Sequence, residues 1–167
     1  NNSILNTGGL QTYSFSLSNS GNVDLESFVL LDSLPAHIDL TEIQTGKYSG
    51  TAVDVTLSYA TNLSAGVFTA WPGSPFSSNS NFTLGIADIT LGAGEYVTYI
   101  KWEYGTVPVG WSSSSSPKIL GTVINPGNDG TNNSLGDMIS NTADVDWVYQ
   151  ATPGMTMSTA TFEFNEP

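Results

Sequence analysis

The chain of 167 residues carries three Lys, no Arg, fifteen acidic residues and one His, for a formal net charge of -12. Three cations cannot neutralise a phosphate track, and so acidic a field repels one, which excludes an ordinary nucleic-acid binder and disfavours anionic membrane surfaces. Without Cys there is no disulfide, no zinc–thiolate site and no thiol catalysis.

Charged residues make up only 11% of the chain, against about 25% in an average soluble domain. Ser, Thr, Asn and Gly must therefore form most of the surface. Hydrophobic residues at 39% and aromatics at 11% supply a core, which sets the chain apart from a disordered acidic tail. The length suits one domain spanning 1–167. The longest strictly apolar run, Phe28-Val29-Leu30-Leu31, is far short of the roughly 20 residues a membrane helix needs, so no membrane insertion is expected. The opening Asn1-Asn2-Ser3 has neither Met nor a charged leader, as expected of an excised piece.

Strand signals dominate in chain order. Leu10 to Asn19 alternates strictly, with Tyr13, Phe15 and Leu17 on one face. Ser20-Gly21-Asn22 reads as a turn that exploits positive φ at Gly21-Asn22, and Leu25 to Leu31 as a second, more apolar strand. Asp32 is expected to accept backbone N–H bonds in the corner that follows, with Leu34-Pro35 ending the strand. Val53 to Tyr59 and Phe82 to Ile86 alternate again. Tyr96 to Tyr104 places Ile100, Trp102 and Tyr104 on one face, with Val97, Tyr99, Lys101 and Glu103 on the other. The Ser112–Ser116 run reads as a flexible loop, and Lys118 to Ile124 as a strand. The spacing of Leu135, Met138 and Ile139 predicts a short helix over 134–140. Thr142 to Tyr149 and Met155 to Phe164 complete eight to ten strands. Many short strands separated by turn signals predict an all-β, immunoglobulin-like antiparallel β-sandwich.

Two stretches carry a resemblance. Tyr13-Ser14-Phe15-Ser16-Leu17-Ser18-Asn19-Ser20-Gly21-Asn22 leads through a second strand to Asp32-Ser33-Leu34-Pro35. Further on, Glu95-Tyr96-Val97-Thr98-Tyr99-Ile100-Lys101-Trp102-Glu103-Tyr104 leads to Gly105-Thr106-Val107-Pro108. Together they resemble the conserved β-sandwich repeat domain of bacterial, Gram-positive-type cell-surface proteins, a domain-of-unknown-function class. The resemblance implies an extracellular, cell-surface stalk or spacer whose partners are neighbouring domains or subunits of the same protein. It also implies that an internal Lys–Asn isopeptide bond is to be considered.

Such a bond needs a buried Lys whose pKa falls, beside an Asn and an assisting carboxyl; the candidates are Lys47, Lys101 and Lys118. Ca²⁺ seeks six to eight oxygens, and Asn128, Asp129, Asp137, Asp144 and Asp146 crowd one Gly-rich region, without EF-hand spacing. Trp71 and Trp111, each beside Gly or Pro, are candidates for an exposed platform that stacks a glycan, which makes a carbohydrate-binding module the rival reading. Catalysis finds no support: His37 is the only His, no Gly-x-Ser-x-Gly occurs, and Glu95 and Glu103 lie roughly 26 Å apart along an extended chain. A third reading is a filament subunit joined by strand donation. The spacer reading expects Phe162 and Phe164 to be buried by their own chain, termini at opposite ends, and a monomer in isolation.

Overall fold

A computed structural model describes residues 3–50 and 53–165. Asn1 and Asn2 of the polar opening segment lie outside the described residues. The expected all-β antiparallel sandwich is what forms. The larger sheet runs in the order β1 (Ser3–Leu5), β13 (Thr152–Phe164), β12 (Met138–Tyr149), β3 (Leu25–Ser33), β9 (Val97–Val107), β6 (Thr56–Thr61) and β7 (Thr69–Ala70). The smaller sheet runs β2 (Leu10–Ser14), β11 (Lys118–Val123), β4 (Ile38–Gln44) and β8 (Thr83–Gly85); β5 (Lys47–Ser49) and β10 (Ser112–Ser115) form a separate pair. Every ladder is antiparallel except β1–β13.

Period-2 alternation buries one face of each sheet against the other. Phe28 and Leu30 of β3, Trp102 and Tyr104 of β9, and Ile119 and Val123 of β11 join one core. Each large apolar side chain removed from water contributes roughly 1.5–3 kcal/mol. Rings bridge the layers, Tyr13 against Phe162 at 6.2 Å and Phe15 against Trp102 at 5.8 Å between centroids. Phe162 and Phe164 are buried, as expected.

Bulges on β4 and β9 shift the alternation. On β4, Thr41 is the extra residue where Leu120 pairs with Glu42 and Gly121 with Leu40. The inward set is therefore Ile38, Leu40 and Ile43. Gly121 is needed there, because a Cβ would lie 2.8 Å from the Asp39 carbonyl oxygen. On β9 the ladder steps from Ala60–Tyr99 to Thr61–Val97, so Val97 is buried with Ile100 rather than facing outward with Tyr99.

Other expectations are corrected. Residues 134–137 form a turn closed by Asp137 N–H to the Ser134 carbonyl, and strand β12 begins at Met138. The helical spacing was coincidental: Leu135 and Met138 are exposed while Ile139 is buried. The Ser run is a strand, since its backbone pairs with β5 whatever the side chains are. Gly21 is not left-handed. The reversal is organised instead by buried Asn19, whose Nδ2 donates to the Val23 and Val107 carbonyls at 2.8 and 3.1 Å.

The ends are not opposite. Ser3 pairs with Phe162, Leu5 pairs with Phe164, and Asn165 N–H donates to the Leu5 carbonyl at 3.1 Å. The first and last strands therefore sit side by side and run in the same direction, so that the chain enters this short ladder at one end and leaves it at the other.

Candidate functional site

Trp71 and Trp111 are core residues, so the proposed glycan platform does not exist. Trp111 is fully buried, stacked on Tyr48 at 4.6 Å and 8°, with Phe28 and Tyr104 at its edges. The Tyr104 hydroxyl donates to the Tyr48 hydroxyl, because Tyr48 gives its own proton to the Thr45 carbonyl. Burial raises both phenols above their ordinary range. Trp71 is 1% exposed, meets Tyr59 edge-on, and donates its indole N–H to Asp88 at 3.4 Å. A neighbouring Gly or Pro reverses the backbone without deciding which way the ring points.

The five calcium candidates are not brought together. Asp129 accepts the Thr131 N–H and hydroxyl at 3.0 and 2.6 Å, and Asp137 accepts the Ser134 N–H at 2.6 Å. These contacts hold both carboxyls in local turns, and they draw Asp129 below the ordinary carboxylate range. Asn128 reaches Asp39 at 3.5 Å. Asp144 and Asp146 sit in β12, carried away from Asp137 by extended chain at about 3.3 Å per residue. Among the described residues no group of three or more His, Asp or Glu is placed to hold a metal ion.

None of the three lysines is buried beside an Asn. Lys101 pairs with Glu103 at 3.4 Å and lies over the Phe68 ring at 4.2 Å, which is the single ion pair among the described residues. Lys47 is exposed on β5, and Lys118 occupies an outward position of β11. His37 and Glu95 are each held by hydrogen bonds. The His37 ring joins the Ile124 carbonyl to the Thr131 hydroxyl, each at 3.0 Å, and Glu95 accepts from Thr61 and from Gly92 N–H.

A buried polar cluster does exist where no lysine reaches it. Asp32 is not in the corner but on the inner face of β3, fully buried. Asn141 Nδ2 donates to its Oδ2 at 2.7 Å. Asp32 Oδ1, Asn141 Oδ1 and the Tyr13 hydroxyl are buried without a hydrogen-bond partner. Burial pushes the Asp32 carboxyl up to about 7, opposed by the Asn141 bond. Asp32 is level with Ile100, so Lys101 points to the other side of the sheet. The strand alternation around Asp32 placed it inside; the polar residue type masked this.

Tyr13 and Asn141 also line an open seam. Three neighbouring grooves of about 180, 210 and 390 Å³ separate residues 11–21 from β12 and β13. Their walls include Phe15, Leu17, Ala143, Val145, Trp147 and Ser158.

No family model matches the sequence, and no curated protein matches it. Among solved structures the fold is similar to AvmM, described as catalysing macrocyclisation in alchivemycin A biosynthesis. That likeness has a TM-score of 0.37 and 10% identity, covering 99% of this chain and 85% of AvmM. A likeness at this level carries no functional argument.

Proposed function

We propose that the chain is a non-catalytic, load-bearing stalk or spacer module of an extracellular bacterial surface protein, of the Gram-positive repeat type that its sequence resembles. The expectation of termini at opposite ends is not met, and the observation that supports a load-bearing role in its place is the parallel pairing of β1 with β13. Tension applied through the two ends pulls these strands past each other along their length. The bonds of the ladder then share the load and must fail together. An antiparallel hairpin pulled from its open end instead loses its bonds one at a time. The chain also passes from the larger sheet at Leu5 to the smaller at Gly9, where Val123 N–H donates to the Gly9 carbonyl at 2.9 Å. Load entering at the first strand is thus shared between both layers.

Single-molecule force spectroscopy tests this. One attachment uses the two ends. The other uses the C-terminal end and a Cys introduced at exposed Leu135, which is unique because the chain has none of its own. That second geometry unzips β12 from β13. The expected result is a several-fold higher rupture force for end-to-end pulling. An end-to-end force equal to or below the unzipping force removes the argument.

A further inference from the structure

Among the described residues strand β13 is the one long edge of the sandwich. The other edge strands, β1, β2, β5, β7, β8 and β10, have 3, 5, 3, 2, 3 and 4 residues, whereas β13 has 13. Only its last three residues are covered, by β1. The direction of its backbone groups follows from two bonds. Asn165 N–H points to β1, and Phe164 N–H points to the Asp137 carbonyl on the β12 side. By alternation Met155, Met157 and Thr159 aim their N–H and C=O groups away from β12, where no described residue meets them.

Natural edges of this length carry Lys, Pro or a bulge that prevents strand addition. This one carries none over 154–162: no residue there is charged, Pro153 precedes the stretch, and the β12–β13 register is unbroken over twelve pairs. Met155 and Met157 are 61% and 58% exposed. The inner face is open as well. Thr156, Ser158 and Ala160 lie on the same side as buried Phe162 and Phe164, yet they are exposed and border the seam.

Two features indicate what would fill the seam. Ala160 lies directly opposite Asn141, so β13 sets only a methyl side chain between the edge and Asn141, whose amide in turn donates to Asp32 on β3; Asn141 Oδ1 and Asp32 Oδ1 have no partner of their own. A residue added beside Ala160 is two strand spacings from Asn141, about 10 Å between backbones, which calls for a long side chain carrying a donor. On the outer face Met157 and Met155 pair with Asp144 and Asp146, within a chain of net charge -12.

We propose that the free edge of β13 and the seam behind it accept an extended, basic strand from a partner polypeptide, with a Lys-like side chain beside Ala160 reaching toward Asn141 and Asp32. Backbone bonds to Met155, Met157 and Thr159 supply affinity, and alternate side chains entering the seam supply specificity. The added strand continues the ladder that β1 begins. This goes beyond the load-bearing role and does not depend on it.

A yeast-displayed library of random dodecapeptides, selected on the intact protein, tests the proposal. The comparison is Thr159→Pro, which removes an edge N–H without breaking a bond to β12. Met157→Pro serves by the same logic if the first variant does not fold. Enriched peptides are expected to alternate in polarity, to carry Lys or Arg at a fixed register, and to bind the edge-blocked protein about tenfold more weakly or worse. Hydrogen exchange should slow at Met155, Met157 and Thr159 on binding, and Asp32→Asn should weaken the preference for Lys. Sedimentation of the protein alone should show a monomer. Absence of enrichment, peptides without basic residues, or equal binding to the blocked variant overturns the proposal. Self-association abolished by Thr159→Pro overturns it in favour of a second copy as the occupant.

Discussion

Replacing Asp32 by Asn isolates the energetic consequence of burying a carboxyl in the core. Asp32 ordinarily titrates near 3.8 and is raised to about 7 in the folded chain, with desolvation as the main cause. Between those two values the folded state binds a proton that the unfolded state has released. Stability therefore falls as pH rises, by about 1.4 kcal/mol per pH unit from this group alone. No loss is present below the ordinary value, and the loss is complete above the folded one. A gap of about three units corresponds to about 4 kcal/mol, a large share of the 5–15 kcal/mol typical of a domain. The replacement side chain retains an oxygen for Asn141 Nδ2, and its new amide nitrogen can donate to Asn141 Oδ1 or Tyr13, both unpartnered in the native protein. Half-buried Glu95 and exposed Asp129 shift in the opposite direction: their contribution is present above their ordinary values and is lost as pH falls through the lowered ones. Both are common to the two proteins and cancel in the difference. Urea denaturation of each protein from about pH 4 to about pH 9 measures that difference by linear extrapolation. The advantage of Asp32→Asn should grow steadily with pH up to neutrality and then level off. A difference that is flat across this range refutes the reasoning.

Three further outcomes follow from packing. Trp111→Ala should cost about 3–5 kcal/mol in chemical denaturation, as removal of a fully buried indole does; a variant as stable as the parent would mean the ring is not in the core. Gly121→Ala places a Cβ 2.5 Å from Ile38 Cγ2 and should destabilise by about 1–3 kcal/mol, whereas Gly85→Ala meets nothing within 4 Å and should be close to neutral in the same melts. Thermal melts with millimolar Ca²⁺ and with chelator should superimpose, because the acidic side chains around 128–146 are not gathered into a site; a shift of several degrees would show that they are.

The architecture was legible because alternation is a local property. Tyr13, Leu17, Ile100, Trp102, Ile119, Phe162 and Phe164 can be assigned to an interior from period 2 alone, since one face of every strand must leave water. Local pattern misled where a bulge changed parity, as at Val97, or where a turn imitated a helical spacing, as at 134–140. It was silent wherever the outcome depended on a distant chain segment. Trp71 and Trp111 have loop neighbours in sequence, but Tyr59 and Tyr48 enclose them from other strands. The Ser run is a strand only because Lys47–Ser49 lies beside it. Asp32 and Asn141 meet across 109 residues, with no local sign of either as a partner for the other. The parallel pairing of first strand with last and the open edge of β13 are likewise decided by strand order. Side-chain alternation determines which face of a strand is buried; only the assembled sheet determines which strand is left at its margin.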